Sequence, residues 1–239
     1  MVKILDCTIR DGGHCANWDF SDDLIFNLIS TLNQNKISFF EIGYRNHFDR
    51  EGKGNFYYCT PDFLEKFYKK KGNLNLGVMV DTKRYDKSDF ESGKDDFADF
   101  VRIATHPERI ADTLSIAENL YKRDYKVMLQ LMDMTKLNDE HYKILETWER
   151  KDIPQTVYLA DTYGTAKNEE VEKHFNKLKD IGFRNISFHA HNHSELALIN
   201  TKRAIELGAY SIDVSQDGIG INGGNLLYSK IKEAVPVKN

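Results

Sequence analysis

Apolar runs of four to six residues recur along the chain, separated by stretches in which apolar positions return every three or four residues. The short runs are Val2–Cys7, Phe39–Gly43, Leu76–Val80, Phe100–Ala104, Val127–Met132, Thr156–Leu159, Asn185–Phe188 and Tyr210–Val214. Most are apolar at nearly every position, the pattern of strands covered on both faces of a parallel sheet. Between them the spacing predicts helices. Asp22–Asn35 places Leu24, Leu28, Ile29 and Leu32 on one face behind an N-cap at Ser21. Pro61–Lys71 begins with proline in its first turn. Arg109–Arg123, Asn138–Arg150, Asn168–Ile181, Ser194–Leu207 and Asn225–Ala234 follow, with Gly208 placed to end the helix before it. The third crossover, Asp81–Phe97, is polar and poorly periodic, and predicts a short helix or a long loop.

Eight strands alternating with about eight helices predict an α/β fold, a (β/α)8 TIM barrel; a doubly wound open sheet is the alternative. The barrel is expected to occupy residues 1–239 as a single domain, and with the last helix predicted to end near the C-terminus no C-terminal accessory domain is expected.

Composition narrows the function classes. The formal charge is -4, with both signs interspersed, so neither nucleic acid nor an anionic membrane surface is the expected partner. No apolar run approaches the roughly 20 residues that span a bilayer, and the N-terminus is a poor signal peptide because Asp6 follows its apolar stretch at once. Three cysteines, Cys7, Cys15 and Cys59, make no paired framework. A reduced, cytoplasmic protein is expected.

In such barrels the active site gathers at the C-terminal ends of the strands. Polar residues cluster there: Arg10, Asp11 and His14; Glu41 with Tyr44, Arg45 and Asn46; Asp81; Thr105 and His106; Asp133; Asp161–Tyr163; and His189-Ala-His191-Asn-His193. Asp217 and the glycine-rich run Gly218–Asn225 follow the last strand. Residues i and i+2 on a strand face the same way, so His189 and His191 can grip one divalent metal. Asp11 would complete a facial triad and leave positions open for substrate. The competing reading is a solvated histidine-rich loop; Asp11 at another strand end of the same barrel favours the metal.

"DCTIRDGGH", "HAHNH" and "GIGINGGN" together resemble the Arg-Asp-Gly superfamily of metal-dependent lyases, aldolases and acyl synthases. That superfamily includes hydroxymethylglutaryl-CoA lyase, isopropylmalate and homocitrate synthases, and 4-hydroxy-2-oxovalerate aldolase. The resemblance implies that Asp11, His189 and His191 bind the metal, with Asn225 beside it as ligand or neighbour. It implies that Arg10 stabilises an enolate oxygen, that Glu41 holds Arg10, and that Thr162 contacts substrate. Manganese is the first choice of metal, with magnesium, cobalt or zinc as alternatives. His14 points to the aldolase branch, where it would be the general base; a hydrogen-bonding loop residue is its plainer alternative. The reading is a divalent-metal aldolase that cleaves or forms a 4-hydroxy-2-oxo acid, giving a 2-oxo acid such as pyruvate plus an aldehyde through a metal-stabilised enolate. A CoA-dependent condensing synthase or CoA-ester lyase, and a non-catalytic metal- or ligand-binding barrel, are the alternatives. The oxovalerate aldolases carry a C-terminal segment that docks a dehydrogenase; without it a dehydrogenase partner is not expected, and a homo-oligomer is left open.

Overall fold

The computed structural model of the chain describes residues 2–47 and 52–233. Eight strands close into a parallel barrel in chain order, β1 (Lys3–Asp6), β2 (Phe39–Tyr44), β3 (Asn75–Asp81), β4 (Phe100–Thr105), β5 (Val127–Leu131), β6 (Pro154–Asp161), β7 (Ile186–Ala190) and β8 (Ser211–Val214), with β8 pairing back onto β1. The helices are α1 (Thr8–Ala16), α2 (Asp22–Gln34), α3 (Pro61–Tyr68), α4 (Ile110–Lys122), α5 (Asp139–Thr147), α6 (Asn168–Asp180), α7 (Ala197–Glu206) and α8 (Tyr228–Ile231). The β3–β4 crossover holds only two single-turn 3₁₀ segments, Thr82–Arg84 and Lys87–Asp89, as its weak periodicity implied. No helix among the described residues is long and apolar enough to cross a membrane.

The strands sort their side chains with a period of two. Outward positions such as Phe40, Ile42, Val101, Ile103, Leu129 and Phe188 join the main apolar core beneath the helices. Inward positions form a second cluster, Leu5, Cys7, Phe39, Phe100, Met128 and Tyr158, which floors the barrel. One step further along the same inward faces the chemistry changes: Glu41 follows Phe39, Arg102 follows Phe100, Gln130 follows Met128, His189 follows Ser187 and Asp213 follows Ser211, all buried. The alternation that builds the barrel thus carries polar side chains to its mouth.

Two sequence-based expectations are corrected, and one helix is added that the spacing does not predict. The added helix is Thr8–Ala16, formed despite Gly12 and Gly13. Tertiary contacts override the low glycine propensity. Asp6 accepts from the Thr8 amide at 3.0 Å, the Thr8 hydroxyl accepts from the Gln216 amide, and the Trp18 indole lies where a Cβ on Gly13 would stand. The helix expected over Ser194–Leu207 begins only at Ala197, because Asn192 turns the chain and accepts from the Ala197 amide. The helix expected over Asn225–Ala234 is confined, among the described residues, to Tyr228–Ile231. Asn225 and Leu227 are instead extended, bridging to His191 and Ser215; Ala234 lies outside the described residues.

Between α5 and α6, His174 is stacked on Tyr142 and bonded to its hydroxyl. Burial pushes the His174 imidazole down to about 4 from the usual 6.5. The folded form therefore resists protonation, so the stability this neutral histidine permits is present above pH 6.5 and is lost as pH falls toward 4. Thermal melts across that window should show a steeper fall in Tm for the wild type than for His174→Gln. Parallel curves would remove His174 from the acid sensitivity.

Candidate active site

Arg10, Asp11 and His14 share one face of α1, through the i,i+3 and i,i+4 spacings of a helix. Arg10 is almost fully buried and held from two sides: Nε donates to Glu41 Oε1 at 2.6 Å, and Nη1 donates to Asp11 Oδ1 at 2.6 Å. Its third nitrogen, Nη2, is buried without a hydrogen-bond partner among the described residues, with the Tyr44 hydroxyl close to the guanidinium. Glu41 is itself shared with Arg102, which donates to both its oxygens and also to Asp213 Oδ2 at 2.6 Å. The sequence reading had missed Arg102 and Asp213. Their signal was available: each is a charge at an inward position of an apolar strand.

From Asp213 the chain of contacts reaches the histidines. His189 Nδ1 lies 2.8 Å from Asp213 Oδ2, and His191 Nδ1 lies 2.9 Å from the carbonyl of Ile221. A carbonyl can only accept, so His191 Nδ1 carries its proton; Asp213, already paired with Arg102, holds His189 in the same tautomer. Both Nε2 lone pairs then face each other, 3.2 Å apart. Two acceptors at that distance call for a cation between them. Metal–nitrogen bonds of about 2.1 Å place neighbouring ligand nitrogens roughly 3.0–3.4 Å apart. Asp11 supplies an oxygen to the same group, with all three ligand atoms within 4.8 Å of one another. Burial works against the Asp11 carboxylate, but the Arg10 guanidinium beside it, helped by the Asn225 amide, holds it down at about 2. Burial also pushes His189 well below the usual imidazole range, leaving it neutral and able to ligate. The donor set fits a divalent metal, and the partners of both histidine Nδ1 atoms supply the outer support such sites require.

The glycine-rich run after β8 packs onto this cluster. Asn225 Nδ2 donates to Asp11 Oδ2 and to the Ile219 carbonyl, while Asn225 Oδ1 is buried and unpartnered. Gly220 must be glycine, since a Cβ there would stand 2.4 Å from Asp11 Oδ2. Asn222 Nδ2 donates to the Thr162 carbonyl. The Thr162 hydroxyl accepts from the Asp133 amide at 2.8 Å, so its own proton is free to point elsewhere. His14 stands at the edge of the group, its Nε2 4.0 Å from Asp11 Oδ1 and its side chain 32% exposed. Trp18 and Tyr44 present ring edges to it, and the Trp18 indole N–H donates to the Arg10 carbonyl. Burial lowers the His14 imidazole below 6.5, so the ring is neutral near pH 7. His193 is exposed and outside the group.

Eight buried side-chain atoms lack partners among the described residues. Six belong to Arg10, Gln130, Asp133, Asp213, Ser215 and Asn225, in the barrel interior or on its C-terminal rim. Unsatisfied polar atoms are rare in folded proteins and costly; concentrated at the mouth, they mark where ligands belong.

A closed parallel barrel with this rim defines the class, and the comparisons supply the family. Residues 89–238 match the HMGL-like family model, more than half of the chain, and the chain belongs to that family. It is 28% identical over 235 residues to a 4-hydroxy-2-oxovalerate aldolase of Carboxydothermus hydrogenoformans, covering 94% of this chain and 67% of the relative. It is 24% identical over 225 residues to an oxaloacetate decarboxylase of Mycobacterium tuberculosis, covering 93% and 66%. The chain thus spans about two thirds of the length of these relatives. Among solved structures, the N-terminal domain of a candidate aldolase from Bacteroides vulgatus superposes with a TM-score of 0.85 at 26% identity, covering 99% of this chain and 82% of that one. The HMG-CoA lyase of Brucella melitensis shares the fold at a TM-score of 0.75 and 15% identity, covering 98% and 89%.

Proposed function

We propose that this carbon–carbon lyase is a divalent-metal-dependent aldolase acting on a 4-hydroxy-2-oxo acid, releasing or consuming pyruvate or a close 2-oxo acid together with an aldehyde. The observation that carries the reading is the pair of facing Nε2 lone pairs of His189 and His191 beside Asp11, with the free Nη2 of Arg10 in the same buried cluster. The relatives named as 4-hydroxy-2-oxovalerate aldolases support it.

Asp11, His189 and His191 would hold the metal, with Asn225 alongside. When bound, a divalent ion supplies Lewis acidity toward the oxygens of a 2-oxo acid. The charge balance suits that substrate. The two guanidinium groups of Arg10 and Arg102 against the carboxylates of Asp11, Glu41 and Asp213 leave this cluster one negative charge, which a divalent cation turns to one positive. Arg10 directs Nη2 at the keto oxygen, where negative charge grows as the C3–C4 bond breaks. Glu41 keeps the guanidinium from rotating. Thr162, its oxygen engaged by the Asp133 amide, donates its proton to the substrate carboxylate. His14 accepts the proton of the 4-hydroxyl and returns one in the reverse direction.

The test is pyruvate release from short 4-hydroxy-2-oxo acids by metal-loaded protein, against thiol release from acetyl-CoA with a 2-oxo acid. The account expects the first and not the second. His14→Asn should lower kcat for cleavage about 10²–10⁴-fold, the range of a lost general base, while metal affinity holds. Full activity in that variant would remove His14 from proton transfer.

A further inference from the structure

Tyr44 ends β2 beside Arg10, and the mechanism leaves its hydroxyl without a task. Glu41 and Tyr44 are three residues apart, so on a regular strand they would face opposite ways. The β2–β3 register slips between Glu41 and Gly43, which returns Tyr44 to the side of Glu41. Gly43 backs onto the outer layer instead, where a Cβ would stand 2.1 Å from the Phe56 carbonyl. The Tyr44 hydroxyl accordingly lies close to the Arg10 guanidinium and within the field of Asp11 and Glu41. Its ring packs on Trp18 and Tyr57, with centroids 5.8 and 5.6 Å away, and meets the His14 imidazole edge-on at 6.2 Å. Unlike the buried Arg10, Asp11 and Glu41, Tyr44 is only half-buried, so it stands where the cluster opens. A guanidinium offers only donors, so the phenol turns its oxygen toward Arg10 and its proton away. Burial pushes the phenol above its usual range, which keeps it a neutral donor. No acceptor among the described residues takes that proton.

We propose that Tyr44 is a catalytic residue of the aldol step, its hydroxyl donating to the oxygen on C4: the substrate hydroxyl in cleavage, the aldehyde carbonyl in synthesis. This rests on the aldolase reading of the same site. Arg10 and His14 serve opposite ends of the breaking bond, and Tyr44 stands beside both. The oxygen on C2 has Arg10. The oxygen on C4 has only His14, which removes its proton and so leaves an alkoxide against the aromatic wall of Trp18 and Tyr44. A preorganised donor there stabilises charge that an apolar wall would disfavour. The step balances without consuming the donor. The 4-hydroxyl proton passes to His14, and the freed pair on that oxygen forms the aldehyde carbonyl. The C3–C4 pair becomes the C2=C3 bond of the enolate as charge passes to the C2 oxygen. Tyr44 keeps its own proton throughout. In synthesis the same hydroxyl polarises the aldehyde while C3 attacks.

The proposal predicts a split between two reactions of the same site. Tyr44→Phe keeps the ring contacts and removes only the hydroxyl. In Mn²⁺-loaded protein its kcat for cleavage of a short 4-hydroxy-2-oxo acid falls about 10²-fold, the loss of one donor to a developing oxyanion. Exchange of pyruvate methyl protons, which involves C2 and C3 and has no C4, stays within about threefold of wild type. A positioning role cannot give that split. A tyrosine that only props the Arg10 guanidinium, or only packs against Trp18, slows exchange and cleavage together, because both need Arg10 in place. Tyr44→Leu supplies the same reading should the phenylalanine variant fold poorly. Cleavage within about threefold of wild type overturns the proposal, as does a parallel loss of exchange and cleavage in a folded variant. A wild type that exchanges but does not cleave removes Tyr44 from C4 and leaves the metal–enolate chemistry standing. Absent exchange in the wild type removes the aldolase reading, and the role of Tyr44 with it.

Discussion

Arg10→Lys lowers kcat about 10²–10³-fold, the usual loss when one preorganised donor to a developing oxyanion is removed, while metal affinity stays within a few-fold of wild type. The charge is conserved, so the loss comes from geometry. Arg10 uses Nε for Glu41 and Nη1 for Asp11, and only its third prong is free. A lysine ammonium is a single compact group on a flexible stem and cannot hold both carboxylates while presenting a further donor. Steady-state kinetics with a metal titration on the same preparation check this. A kcat within fivefold of wild type would show that the unpartnered Nη2 is not aimed at the reacting oxygen.

Arg102→Met has its largest effect on folding. Arg102 is wholly buried, bound to both oxygens of Glu41 and to Asp213, and its guanidinium lies over the Tyr158 ring at 4.5 Å. Methionine fills much of the volume but leaves two carboxylates in the barrel interior with less compensation. Removing one partner of a buried ion pair costs about 3–5 kcal/mol. In a domain of this size that corresponds to a fall in Tm of roughly 10 °C. Metal binding weakens as well, because Asp213 loses the partner that fixes it against His189 Nδ1. Thermal melts with and without metal read both effects; a Tm change under about 2 °C would mean that the network carries little of the fold's stability.

The strands were legible because parallel strands covered on both faces are apolar at nearly every position, and the barrel follows from their alternation with amphipathic helices. The His189–His191 pair was legible from its spacing, and its tie to Asp11 from the rule that barrels gather chemistry at strand ends. The predicted end of that strand, Phe188, fell short, because β7 continues to Ala190 and carries His189 inside it. What escaped depends on tertiary contact. Nothing local marks "TIRDGGHCA" as helix; Asp6 at its start and Trp18 over Gly13 make it one. Arg102 and Asp213 were passed over as ordinary strand residues because their importance lies in facing each other across the barrel. Gln130 was invisible for the opposite reason, its Oε1 being buried without a partner among the described residues. The Ile221 carbonyl that sets the His191 tautomer is backbone, and no residue type announces it.

The central claim is that Asp11, His189 and His191 hold a metal against which Arg10 activates a 2-oxo acid. Its most direct measurement is exchange of pyruvate methyl protons with deuterated solvent, followed by NMR on one preparation before chelation, after chelation and after Mg²⁺ is restored. The account predicts exchange with metal, none after chelation, recovery on reloading, and none in a folded His189→Ala variant. Exchange that persists without metal, or that survives loss of His189, would contradict it.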